Sequence, residues 1–103
     1  MPYINESNRK NLDECIDHLV SCIKSNVLYQ DDEKSLWNMV GDINYCFSRV
    51  LGQLMGGISY PKIAIISGVL ENIKQEFYRR VASPYEDQKI LANGDIKEYK
   101  KLK

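Results

Sequence analysis

Arg79, Arg80 and Lys89 lie near one another in the chain, interleaved with Tyr78, Tyr85 and Asp87, and this group carries the densest chemistry in the sequence. Arginine forks grip phosphate or carboxylate at two points, and flat aromatic rings stack on bases. Ser83-Pro84-Tyr85-Glu86 reads as a helix start with proline at its first position, and the first amides of a helix form an anion site. Guanidinium forks, free amides and rings are what a phosphate-and-base ligand requires. A structural explanation competes. Arginines at the end of a helix are drawn to its negative pole, and Arg79 or Arg80 can pair with Glu86 or Asp87 to lock a corner between two helices. Spacing alone leaves both readings open.

Other constellations point less far. Cys15, His18 and Cys22 stand at i, i+3 and i+7, on one side of a helix, and zinc takes thiolate and imidazole. One helix supplies only three ligands here, the spacing fits no common zinc module, and small cysteines beside an apolar stripe have a packing role. A catalytic cysteine needs a base and an orienting partner; His18 is the only histidine, and no pocket is marked around Cys15. Glu86, Asp87 and Asp95 are possible oxygen ligands for a divalent cation. Glu86 and Asp87 are also accounted for by the cap and the helix dipole, and Asp95 by the turn after Gly94. No catalytic motif is found, and no metal or cofactor is implied.

The elements that position these residues read as helices. Leu12, Ile16, Leu19, Ile23 and Val27 recur at steps of three and four, which predicts a first helix over about Ser7–Val27, with Asn5, Ser7 and Asn8 as candidate caps. Asp31 or Asp32 caps a second helix over about Glu33–Met55, with the seam Leu36, Val40, Ile43, Phe47, Val50 and Leu54. Gly56-Gly57 stops it. Ser59 and Pro61 open a third helix that runs to about Ala82 along Ile63, Ile66, Leu70, Ile73, Phe77 and Val81. Gly68 interrupts that helix at a cost of about 1 kcal/mol relative to alanine, which close approach of another backbone explains; Gly52 and Gly56 make a similar small-residue pair. A short fourth helix follows Ser83 and stops at Asn93-Gly94. The tail over 96–103 is expected to be flexible. No segment alternates as a strand does.

With 103 residues the chain is expected to form one domain with a modest core. Lys+Arg and Asp+Glu number 14 each, a balance that argues against a general nucleic-acid coat and leaves room for a local basic patch. Three cysteines and the absence of a secretory start predict a reduced, cytoplasmic setting. No apolar run approaches the roughly 18 residues that span a bilayer.

Gly41-Asp42-Ile43-Asn44-Tyr45, Gly68-Val69-Leu70-Glu71, Glu76-Phe77-Tyr78-Arg79-Arg80-Val81, Pro84-Tyr85-Glu86-Asp87-Gln88-Lys89-Ile90 and Asn93-Gly94-Asp95 together resemble a family of short proteins of unknown function encoded by tailed phages and prophages. Met1-Pro2-Tyr3-Ile4 is similar to that family's start. The resemblance implies a phage origin and a small helical protein rather than an activity. Val81-Ala82-Ser83 and Ile96-Lys97 depart from the family's pattern of Val-Val-Ala before the proline and Val-Tyr after Asn-Gly-Asp.

The expectation is therefore an all-α, up-down-up bundle of three helices with a short fourth helix folded back, assembled as a homo-oligomer through the wide apolar faces of helices two and three. The expected function is non-enzymatic: sequestration of a small anionic signal of host immunity, a cyclic nucleotide or an ADP-ribose-like nucleotide, through Tyr78, Arg79, Arg80, Tyr85, Asp87 and Lys89. The alternative is a structural or adaptor protein without a small-molecule ligand. An enzyme using Glu86, Asp87 and Asp95 on a metal ranks below both.

Overall fold

The structure is a computed structural model that describes residues 2–102. Met1, the first residue of the start motif, and Lys103, the last of the tail, lie outside the described residues. All regular structure among the described residues is helical: α1 (Glu6–Ser25), α2 (Glu33–Asn38), α3 (Val40–Met55), α4 (Tyr60–Phe77), a π-helical turn (Tyr78–Ala82), α5 (Ser83–Asn93) and α6 (Lys97–Lys100). The described residues divide into two compact units, Pro2–Ile66 and 67–102, with the boundary inside α4.

In the first unit the helix ends follow local hydrogen bonding. Asn5 caps α1: its side-chain oxygen accepts the Asn8 amide at 3.0 Å and the Ser7 hydroxyl at 2.9 Å. The helix stops at Ser25, two residues short of the expected end, where the Asn26 amide turns back to the Ile23 and Lys24 carbonyls. Asp32 caps α2 by accepting the Ser35 amide at 2.8 Å. Gly56, at φ 70°, ends α3, and the Ser59 hydroxyl accepts the Lys62 amide at 3.3 Å at the start of α4.

The expected unbroken helix over 33–55 is not formed. It is interrupted at Met39, whose amide reaches back only three residues, to the Leu36 carbonyl at 3.1 Å. Such a tightened turn redirects the residues that follow. Met39 is 6% exposed and is the only buried apolar side chain among the described residues; Ser35, at 4%, is the only buried polar one. Burial of Met39 thus coincides with the interruption of the seam. Leu19, Ile23 and Val27 of the first stripe and Ile43 and Cys46 of α3 are half-buried.

The second unit overturns the expected corner. The chain does not stop at Ala82 and restart at Ser83. Ser83 has helical angles (φ −63°, ψ −48°) and its amide bonds to the Tyr78 carbonyl, five residues back. Ala82 is equally helical, and no side-chain cap opens α5. The physical reason is Pro84. In a regular α-helix its ring would strike the carbonyl four residues earlier and its missing N–H would leave that carbonyl unpaired. Widening one turn to the π spacing accommodates both defects without ending the helix. The expected stop at Asn93-Gly94 does form: Gly94 lies at φ 88°, ψ 156°, and its amide closes on Ile90 at 2.8 Å. Where a loose tail was expected, Lys97–Lys100 wind a short helical turn after the Asp95 carboxylate accepts the Ile96 amide at 2.8 Å.

No backbone approaches Gly68 or Gly52 closely enough to explain them: a Cβ placed at either would meet nothing within 4 Å among the described residues. Leu70, Ile73 and Phe77 are 49%, 56% and 63% exposed.

Candidate functional site

The six residues singled out by their chemistry all lie on the π turn and α5, so they are carried by an uninterrupted helical run rather than gathered at a corner. That difference decides what each can reach. The Arg79 guanidinium donates to the Glu76 carboxylate through Nε at 3.0 Å and through a terminal nitrogen at 2.5 Å. Glu76 is one turn earlier, where side chains three apart face each other. The expected lock onto Glu86 or Asp87 does not form, because without a corner those carboxylates stand further along the same helix. Arg80 has no ion-pair partner among the described residues. The Lys89 ammonium sits over the Tyr85 ring, 5.3 Å from its centroid, within cation–π range.

Two open grooves border this run. One, of about 720 Å3, is lined by Phe77, Tyr78, Arg79 and Ala82 with Asn72 and Glu76 among its walls. The other, of about 620 Å3, lies where α5 meets α6, and brings Tyr78, Asp87 and Lys89 together with Glu86, Asp95 and Tyr99. Tyr78 forms a wall of both. Arg80 and Tyr85 line neither. The six side chains therefore do not converge within one chain.

The electrostatics of the second groove also differ from the expectation. It holds the carboxylates of Glu86, Asp87 and Asp95 against the single ammonium of Lys89, which disfavours an anion. The expected anion cradle of free helix amides is missing as well. The Ser83 amide is spent on Tyr78, and Pro84 has none to offer. The first groove is more favourable to an anion in charge: it sets Lys74 and the exposed guanidinium of Arg79 against Glu76, which already engages the Arg79 fork.

Tyr99 and Phe77 are groove residues that sequence reasoning placed elsewhere, Tyr99 in a loose tail and Phe77 in the core seam. The i, i+3 spacing of Ile96 and Tyr99 after the glycine stop was the available signal for a further helical turn. On α1, the Cys22 sulfur lies 3.7 Å from His18 Nε2, and both side chains are exposed. Among the described residues no group of three or more His, Cys, Asp or Glu side chains is placed to hold a metal ion. No helix among them is long and apolar enough to cross a membrane.

A family model described as "Domain of unknown function (DUF6899)" matches residues 1–96. No curated protein and no solved structure matches the chain.

Proposed function

The chain belongs to this family of domains of unknown function, and we propose that it is a phage-encoded, non-enzymatic accessory protein that self-associates and sequesters a small nucleotide-like anion between its copies. The ligand class is a cyclic nucleotide or an ADP-ribose-like signal of host immunity, met in the host cytoplasm. The observation that carries this reading is the run of exposed rings and cations on one helical stretch: Tyr78, Arg80 without an ion-pair partner among the described residues, and Lys89 lying over Tyr85. Rings offer stacking to a base, and the cations offer charge to phosphates. Asp87 is an acceptor for a sugar hydroxyl or a base amino group.

The acidic character of the groove beside α6 argues that such a site is completed by a second copy rather than within one chain. On the same reading, the bundle expected of these helices is completed between copies. Titration calorimetry with a panel of cyclic dinucleotides and cyclic ADP-ribose isomers tests the proposal. Binding at micromolar concentration or tighter is expected with at least one of them, weakened by Lys89→Ala. Absence of heat with every member of the panel removes the ligand.

A second reading, an adaptor that binds another protein, is favoured by the engagement of Arg79 with Glu76 and by the three carboxylates of the groove. The same calorimetry separates the two, since an adaptor leaves the whole panel silent while still assembling.

A further inference from the structure

We propose that His18 Nε2 and Cys22 Sγ are the two protein ligands of a site on α1 for a divalent cation of the zinc type. Such a site uses neither the π turn nor α5 and is independent of nucleotide binding.

Of the three donors that the sequence sets along α1, the structure pairs two. Cys22 follows His18 by four residues, the spacing at which side chains on a helix face one another. Zinc holds a thiolate sulfur at about 2.3 Å and an imidazole nitrogen at about 2.0 Å, so at a tetrahedral angle the two ligand atoms stand about 3.5 Å apart. Cys22 Sγ and His18 Nε2 are 3.7 Å apart, close to two corners of that tetrahedron. Ligation through Nε2 leaves the ring proton on Nδ1. Coordination displaces the thiol proton of Cys22, which passes to the buffer.

The surroundings suit an ion. Both side chains are exposed, so the ion reaches them from solvent and water fills its remaining positions. The backbone beneath them is already set: Asn5 caps α1, and Leu19 and Ile23, each next in sequence to one of the pair, are half-buried. A pair held on a formed helix loses less freedom on binding. Beyond Cys22 an open groove of about 380 Å3 lies between α1 and α3, within the first unit, with Asp42 and Cys46 on its α3 side. Glu14 stands one turn before His18 on the same side of α1, so the local charge favours a cation. Among the described residues no third donor closes on the pair. That sets the strength: half the ligand set of a structural zinc site gives binding in the micromolar range, about 1–100 µM.

Cobalt(II) titrated into the full, reduced chain tests this, because a cobalt–thiolate bond absorbs in the near ultraviolet and the hydrated ion does not. A band that saturates at about one ion per chain and is bleached by zinc(II) is expected. Cys22→Ser should abolish it, His18→Ala should weaken binding roughly tenfold or more, and Cys15→Ser should leave it unchanged. All three positions are exposed, so the variants should keep the wild-type circular dichroism. The wild type gives a readout without any substitution: zinc(II) should slow alkylation of Cys22 by iodoacetamide, followed by peptide mass, and leave Cys15 reactive. Absence of a thiolate band at millimolar cobalt overturns the site, and so does alkylation of Cys22 that ignores zinc. A band of equal strength in His18→Ala means that a thiol alone binds the ion and overturns the pair. A band lost with Cys15 and kept without Cys22 does the same.

Discussion

The amide of Ser83 donates to the carbonyl of Tyr78, five residues back, and this one bond lets a proline sit inside a helix that does not end. Pro84 is the reason for the wide turn, so Pro84→Ala should let it relax toward α geometry. A proline in a regular helix interior costs about 3 kcal/mol, part of which the π turn has relieved. The variant is therefore expected to gain about 1 kcal/mol, a rise of a few degrees in melting temperature. Relaxation also rotates Tyr85 and Lys89 relative to Tyr78, so any nucleotide binding should fall while stability rises. A lower melting temperature would contradict this account of the turn.

Ser35 ties the link before α2 together. Its hydroxyl accepts the Gln30 amide at 2.9 Å and points to the Leu28 carbonyl at 3.5 Å, while its own amide is capped by Asp32. It is buried, so Ser35→Ala leaves the Gln30 amide without its partner. A loss of about 1–3 kcal/mol is expected in chemical denaturation. Asp32→Ala removes only the cap and should cost about 1 kcal/mol. Equal, negligible losses for both would show that the link frays in solution.

Gly94 separates α5 from α6 with φ 88° and ψ 156°, a region open almost only to glycine. A Cβ there meets no neighbour within 4 Å, so the cost of Gly94→Ala is backbone strain alone, about 1–3 kcal/mol. Because α6 closes the groove beside α5, faster amide exchange should be seen at Tyr99 and Lys100 in the variant. Unchanged exchange there would mean that the turn is not held by Gly94.

Glu76 and Arg79 form an ion pair one helical turn apart, with the arginine side chain 65% exposed and the glutamate side chain 17%. Such pairs contribute little, about 0.5 kcal/mol or less. Glu76→Gln should shift the melting temperature by no more than a degree or two, and it releases the guanidinium. If Arg79 serves an anion, calorimetry should then read tighter binding. Weaker binding would assign Arg79 a positioning role that depends on Glu76.

The legible parts of this protein are those settled within a few residues. Asn5, Asp32, Ser59, Gly56 and Gly94 mark helix ends because their side chains or their freedom at positive φ act on adjacent amides and carbonyls, and each does so where expected. Ser83-Pro84-Tyr85-Glu86 satisfies the same local rules and still does not start a helix. A capped restart and a widened turn both accommodate the proline, and the difference between them is not written in the four residues. Met39 shows the same limit: the even spacing of Leu36, Val40 and Ile43 on either side of it gave no sign that the helix is interrupted there.

The candidate site was legible as a set of residue types and not as a place. Sequence by itself determined that the chain is helical and where most helices begin and end, because these follow from hydrogen bonding and periodicity within a turn or two. Only the tertiary structure decided that Arg79 turns back to Glu76 and that Arg80 and Tyr85 stay apart from the groove holding Asp87 and Lys89. The pairing of Arg79 is decided one turn back along the helix, and the places of Tyr85, Asp87 and Lys89 follow from the angle at which one turn passes to the next, which a single five-residue hydrogen bond at Ser83 changes for the residues beyond it.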